Sequence, residues 1–127
     1  MLSHHMLDAG EFEQLVAEVL DALPPQFAAY LQNVEVLVEP RITRDIRQRL
    51  GLRPGEVLYG LYEGVPMTRR GSGYAPLPAT IIIFQEPLER HCLSRIKLKQ
   101  EIRRTVLHEL AHHFGISDER LEELGAY

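Results

Sequence analysis

His108, Glu109, His112, Gly115 and Asp118 stand at fixed offsets in the run His108-Glu109-Leu110-Ala111-His112-His113-Phe114-Gly115-Ile116-Ser117-Asp118. A helix turns about 100° per residue, so side chains four apart leave one face roughly 6 Å from each other, and two imidazoles so placed can share one ion. His108 and His112 therefore form a ready pair of zinc ligands. Glu109, one step round, can reach a zinc-bound water without taking a ligand position and act as general base. A third ligand must come from outside the helix. Gly115 can adopt a left-handed backbone that turns the chain back and brings Asp118 to the metal. Three protein ligands and one water describe a catalytic zinc site.

Each of these residues also has a purely structural reading. H-E-x-x-H alone occurs in unrelated helices. Gly115 suits a helix C-cap, and Ser117 or Asp118 suits the N-cap of a short helix over Glu119 to Leu124. Demanding glycine and aspartate together at set offsets lowers the accidental rate by roughly two orders of magnitude, which favours the metal. His113 lies about 100° round from His112 and is expected to point elsewhere.

The run His108 to Tyr127, HELAHHFGISDERLEELGAY, with the upstream stretch Leu61 to Pro87, resembles the mini-zincins, the minimal zincin-like metallopeptidase family. Their pattern is H-E-x-x-H-x-x-G-x-x-D. The resemblance implies zinc held by His108, His112 and Asp118, with Glu109 as catalytic base. It also implies an α+β fold: a small zincin-like domain, with a short mixed sheet packed against helices and the H-E-x-x-H helix near the C-terminus. Glu119, Glu122 and Glu123 are rival third ligands, but Asp118 fills the family position and the glutamates read as the polar face of a short helix. In zincins an extended peptide adds to an edge strand above the active-site helix. By resemblance Thr80, Ile81, Ile82, Ile83 and Phe84 are the candidate edge and substrate-binding strand; by composition, three consecutive isoleucines favour a central one. No third histidine follows at the metzincin position, and all three methionines precede the motif.

The expected function is zinc-dependent hydrolysis of a peptide or protein substrate. Two alternatives carry weight. One is a non-catalytic zinc-binding interaction module, against which Glu109 argues, since binding needs no base. The other is a metal-dependent endoribonuclease: a bacterial family shares the H-x-x-x-H spacing and a third ligand six residues on, but has glycine at the Glu109 position and histidine at the Asp118 position. Tyr127, Tyr74, Arg69 and Arg70 are the candidates for stabilising an oxyanion, none at a diagnostic spacing.

Positioning such a site falls to the rest of the chain. Ile102, Val106 and Leu110 recur down one side of a helix from Ser94, its N-cap, to Phe114, with Leu107, Ala111 and Phe114 beside them, while Glu101, Thr105, His108 and His112 share another side. Phe12, Leu15, Val16, Val19, Leu20 and Leu23 form the stripe of an amphipathic helix, with Asp8 and Glu11 as a capping box. Pro24-Pro25 ends it, and a shorter helix from Phe27 to Leu31 follows. Val34, Val36 and Val38 alternate with Glu35, Leu37 and Glu39, the period of a half-buried strand whose valines meet the helices. Ile42 to Leu50 has helical spacing with Gly51 as its cap. Val57 to Tyr62 reads as a strand, Gly64 to Pro78 as a loop or loose hairpin, and Thr80 to Phe84 as the strongest strand.

At 127 residues, 45% of them hydrophobic, the chain supports one core and one domain, with residues 1–7 expected to be flexible and His4 and His5 given no role. A net charge of −4 and a pI of about 5.8 argue against nucleic acid or an anionic membrane as partner. The basic run Arg95 to Arg104 reads as a solvated helix face. Cys92 is the only cysteine, which excludes an internal disulfide, suits a cytoplasmic location and reads as a small buried side chain.

Overall fold

The computed structural model describes residues 7–64 and 79–125. Helix α1 (Ala9–Asp21) opens with the capping box: the Asp8 carboxylate accepts from the Glu11 amide and the Glu11 carboxylate from the Asp8 amide. Its stripe Phe12, Leu15, Val16 and Val19 is buried. A 3-10 turn (Pro25–Phe27) and a single-turn helix α2 (Ala28–Leu31) follow, as the paired prolines require. Strand β1 (Val34–Glu39) turns its valines to the core, and α3 (Arg44–Leu50) is capped by Thr43 at one end and by a left-handed Gly51 at the other.

Strand β2 (Gly60–Glu63) begins three residues later than the Val57 start expected from composition. Strand β3 (Ala79–Phe84) pairs with β1 in parallel and with β2 antiparallel, so the sheet order is β1-β3-β2. This corrects the edge-strand assignment of Thr80 to Phe84. The strand is central, and neighbours on both sides use its backbone hydrogen bonds. Its side chains explain why: Ile81 and Ile83 face the main core while Ile82 and Phe84 face a second cluster with Ile42 and Ile46. A strand apolar on both faces is stable only between two covered layers.

Helix α4 (Gln85–His91) follows β3 directly and has no counterpart among the elements expected from the sequence. Pro87 sits in its first turn, where a missing amide hydrogen costs nothing. Buried Glu89 accepts from the Leu7 amide and from Gln85 Nε2, both at 2.9 Å, and Gln85 Nε2 also donates to the Leu7 carbonyl at 2.7 Å. These bonds tie the segment entering α1 to α4.

The long helix α5 (Arg95–Phe114) packs on α1, α4, β2 and β3. Leu98, Ile102, Val106, Leu107 and Leu110 are buried in the main core. Helix α6 (Asp118–Glu123) is short and is held by Leu121 and Leu124, both buried. Each such side chain contributes roughly 1.5–3 kcal/mol by leaving water, enough to fix a helix of this length against α5. Arg103 Nη2 adds a bond to the Gly125 carbonyl at 3.0 Å. Among the described residues no helix is long and apolar enough to cross a membrane.

Candidate metal centre and cleft

Apolar packing of α5 against the core leaves its opposite side turned to a cleft of about 1150 Å³. His108 and His112 stand on that side with ring centroids 4.4 Å apart. Nitrogen atoms of both and a carboxylate oxygen of Glu109 all lie within 4.8 Å of one another. The histidines are exposed, whereas Glu109 is 8% exposed, its Oε2 lying 3.7 Å from His112 Nδ1. Two accessible imidazoles beside one sheltered carboxylate is the arrangement expected of two ligands and a base.

Glu109 is sheltered by β2. Gly60 and Tyr62 face α5: a Cβ at residue 60 would lie 2.5 Å from Thr105 Cγ2 and 3.6 Å from Glu109 Cγ, and the Tyr62 ring stacks at 4.4 Å on His113. Only glycine lets the strand backbone come so near the helix. Strand and helix therefore run in the same direction, Gly60 beside Thr105 and Tyr62 beside His113. His113 points away from its neighbour His112, as the helical angle requires.

Asp118 reaches the cleft by a short chain reversal. Gly115 adopts a left-handed conformation at φ 66°, and the Ile116 amide bonds back to the Ala111 carbonyl at 3.0 Å, closing α5 in a Schellman turn. Ser117 then caps α6 through the Arg120 amide. Gly115 and Ser117 thus act as caps, and Asp118 is the first residue of α6 rather than its cap. Asp118 and Glu122, four apart, both line the cleft, but neither belongs to the close group formed by His108, Glu109 and His112. Glu119 and Glu123 do not line it.

The cleft has a second wall that residue types alone did not announce. Leu50, Leu52, Val57, Leu58 and Leu61, none of them on α5, give the cleft an apolar lining. Arg49 Nη2 donates to Glu63 Oε1 at 2.6 Å, which joins α3 to β2. At the end toward the start of α5, the cleft is lined by Tyr59, His91, Glu101 and Arg104. Glu101, Arg104 and His108 follow at helical spacing, so face arithmetic could have found Arg104. Nothing in the sequence signals His91 or Tyr59. Of the oxyanion candidates, Arg69, Arg70, Tyr74 and Tyr127 lie outside the described residues.

Cys92 is buried, and burial, with the Glu101 carboxylate nearby, pushes its thiol pKa up. Burial likewise raises the Tyr59 hydroxyl, with smaller contributions from Cys92 and Glu101, so the phenol stays a donor.

No curated protein matches this chain in sequence. Among solved structures, a conserved hypothetical protein from Thermus thermophilus is similar, with a TM-score of 0.54 and 22% identity over 84% of this chain and 92% of that one. That likeness supports the fold. A family model described as zincin-like metallopeptidase matches residues 31–126, which include every strand, the whole cleft and the His-Glu-His cluster, and the chain belongs to this family.

Proposed function

We propose that the protein is a zinc-dependent peptidase whose metal is held by His108, His112 and Asp118 and whose general base is Glu109. The observation that carries this reading is the clustering of the two exposed imidazoles with one sheltered carboxylate on the open side of α5. Imidazole nitrogens are donors that zinc accepts readily, and those of His108 and His112 lie close enough to share one ion. Asp118, on the adjoining wall of the same cleft, completes the set. When bound, zinc supplies the positive charge that polarises a carbonyl and acidifies water.

The residues around it have separable tasks. Glu109 takes a proton from the attacking water and returns it to the leaving amine. Its low exposure keeps bulk water from competing for that proton. Strand β2 replaces Thr80 to Phe84 as the strand that receives substrate: it is an outer strand in the order β1-β3-β2, and it runs beside the base. An extended peptide lying there gains backbone hydrogen bonds. Leu50 and Val57, 43% and 51% exposed, offer apolar surface to its side chains.

The test is to purify the chain without a histidine tag or added metal, measure zinc by mass spectrometry, and follow cleavage of a peptide mixture. The expected result is near-stoichiometric zinc with cleavage in the parent, and in Glu109→Gln retained zinc with hydrolysis reduced by about 100-fold or more. Equal turnover by Glu109→Gln removes the base from the proposal; zinc without cleavage by the parent leaves only a metal-binding module.

A further inference from the structure

The cleft extends beyond the reaction centre. Glu101 precedes His108 by two helical turns, about 10 Å along the axis, and the far end of the cleft lies there. Three elements converge on it. Tyr59, leading into β2, packs its ring 5.4 Å from that of His91, the last residue of α4. Arg104 of α5 meets Glu101 through Nη1 at 3.5 Å. Tyr59, His91 and Arg104 all bear donors, and among the described residues Arg104 is the only lysine or arginine lining the cleft. Its pairing with Glu101 is long, and the Arg104 side chain is two-thirds exposed, so the pair is worth little and a better acceptor displaces it at small cost.

The direction of the strand says what that acceptor would be. Because β2 runs the same way as α5, a peptide pairing antiparallel with β2 runs toward the start of α5. Antiparallel pairing is the commoner and slightly stronger mode, and β2 already uses it with β3. The C-terminal end of such a peptide travels from His112 past Glu109 to Arg104. At about 3.3–3.6 Å per residue, the roughly 10 Å between His108 and the far end is filled by two or three residues.

We propose that Arg104, with His91 and Tyr59, anchors the C-terminal carboxylate of a peptide substrate, so that the enzyme acts near chain ends and releases C-terminal fragments of two or three residues. This rests on the peptidase reading for the cleavage and on the cleft alone for the anchor. Hydrolysis adds one water across the peptide bond, the fragment leaving with a new amine and its original carboxylate. A guanidinium and a carboxylate meet through two parallel charge-assisted bonds, stronger than the exposed pair they replace.

The decisive experiment is calorimetric binding of one hexapeptide of apolar sequence, as free acid and as amide, to the Glu109→Gln protein. The acid is expected to bind about tenfold more tightly or better, and Arg104→Gln to abolish the difference, while Arg90→Gln, outside the cleft, preserves it. Equal binding of acid and amide, a difference that survives Arg104→Gln, or no binding of either at millimolar concentration overturns the anchor. A third peptide, amidated but carrying glutamate at its last position, separates the two sources of a carboxylate: if it binds as well as the acid, chain-end recognition falls. Cleavage by the parent protein keeps the two claims distinct. Equal hydrolysis of acid and amide leaves a peptidase without the anchor; acid-selective binding without hydrolysis leaves the anchor without the peptidase.

Discussion

Gly60 and Thr105 touch so closely that strand and helix leave no room for a side chain between them: a Cβ on residue 60 would stand 2.5 Å from Thr105 Cγ2. Thr105 cannot yield freely, because its hydroxyl donates to the Glu101 carbonyl at 2.7 Å and it is 8% exposed. Gly60→Ala should therefore cost about 1–3 kcal/mol, the usual penalty for overfilling a packed site. Thr105→Ser keeps the hydroxyl and removes the methyl, so it should recover most of that loss in the double variant. Denaturant unfolding of the single and double variants checks this, and additive losses would mean the contact is not tight.

Asp118 and Glu122 share the cleft-facing side of α6, and only one of them fills the family position. Asp118→Ala should weaken zinc affinity by about tenfold or more, at least the effect of losing a group that merely supports a ligand. Glu122→Ala should leave it unchanged. Competition with a chromophoric chelator measures both, and a reversed ranking would make Glu122 the third ligand.

Cys92 provides a pH-dependent reporter of the core. Its thiol has a pKa above the ordinary 9.0, because burial and the Glu101 carboxylate disfavour the thiolate. The folded state thus holds the proton more tightly than the unfolded chain. The associated stability is complete below the unfolded pKa and is lost as pH rises above about 9 toward the folded value. Urea midpoints should fall across that alkaline window more steeply for the parent than for Cys92→Ala. At neutral pH a thiol reagent should label Cys92 slowly in the native protein and rapidly in urea.

Glu89 is 1% exposed and accepts bonds from both Leu7 and Gln85. Glu89→Ala leaves those donors without their acceptor and should cost about 1–3 kcal/mol. Amide hydrogen exchange should quicken first at Leu7 and the opening turn of α1. Uniform acceleration through the whole chain would instead point to a global effect.

Much of this was readable from residue types. Capping box, paired prolines, alternating valines and the apolar column of α5 each fix local structure through interactions spanning a few residues, so their elements fall where periodicity puts them. The histidine pair and Glu109 are equally local. Topology was harder. Whether Thr80 to Phe84 lies at an edge depends on what pairs with it, and its isoleucines, apolar to both sides, were the better guide. Helix α4 was hidden because Pro87 reads as a breaker except in a first turn. The close approach at Gly60 and the placement of Tyr59 and His91 depend on chain segments distant in sequence, which no local pattern encodes.

The register of β1 on β3, Val34 opposite Ala79, joins two strands with α3 and β2 between them in the chain. Parallel pairing over such a separation requires a large loop to close before the contact is formed, which slows folding. Helix α5, twenty residues long, can begin to form by itself, and its two histidines then come together within one turn. The apolar wall, the sheltering of Glu109 and the far end of the cleft all wait for the sheet. When the full-length chain refolds, the histidine pair can thus come together before Glu109 is sheltered and before the cleft has its walls.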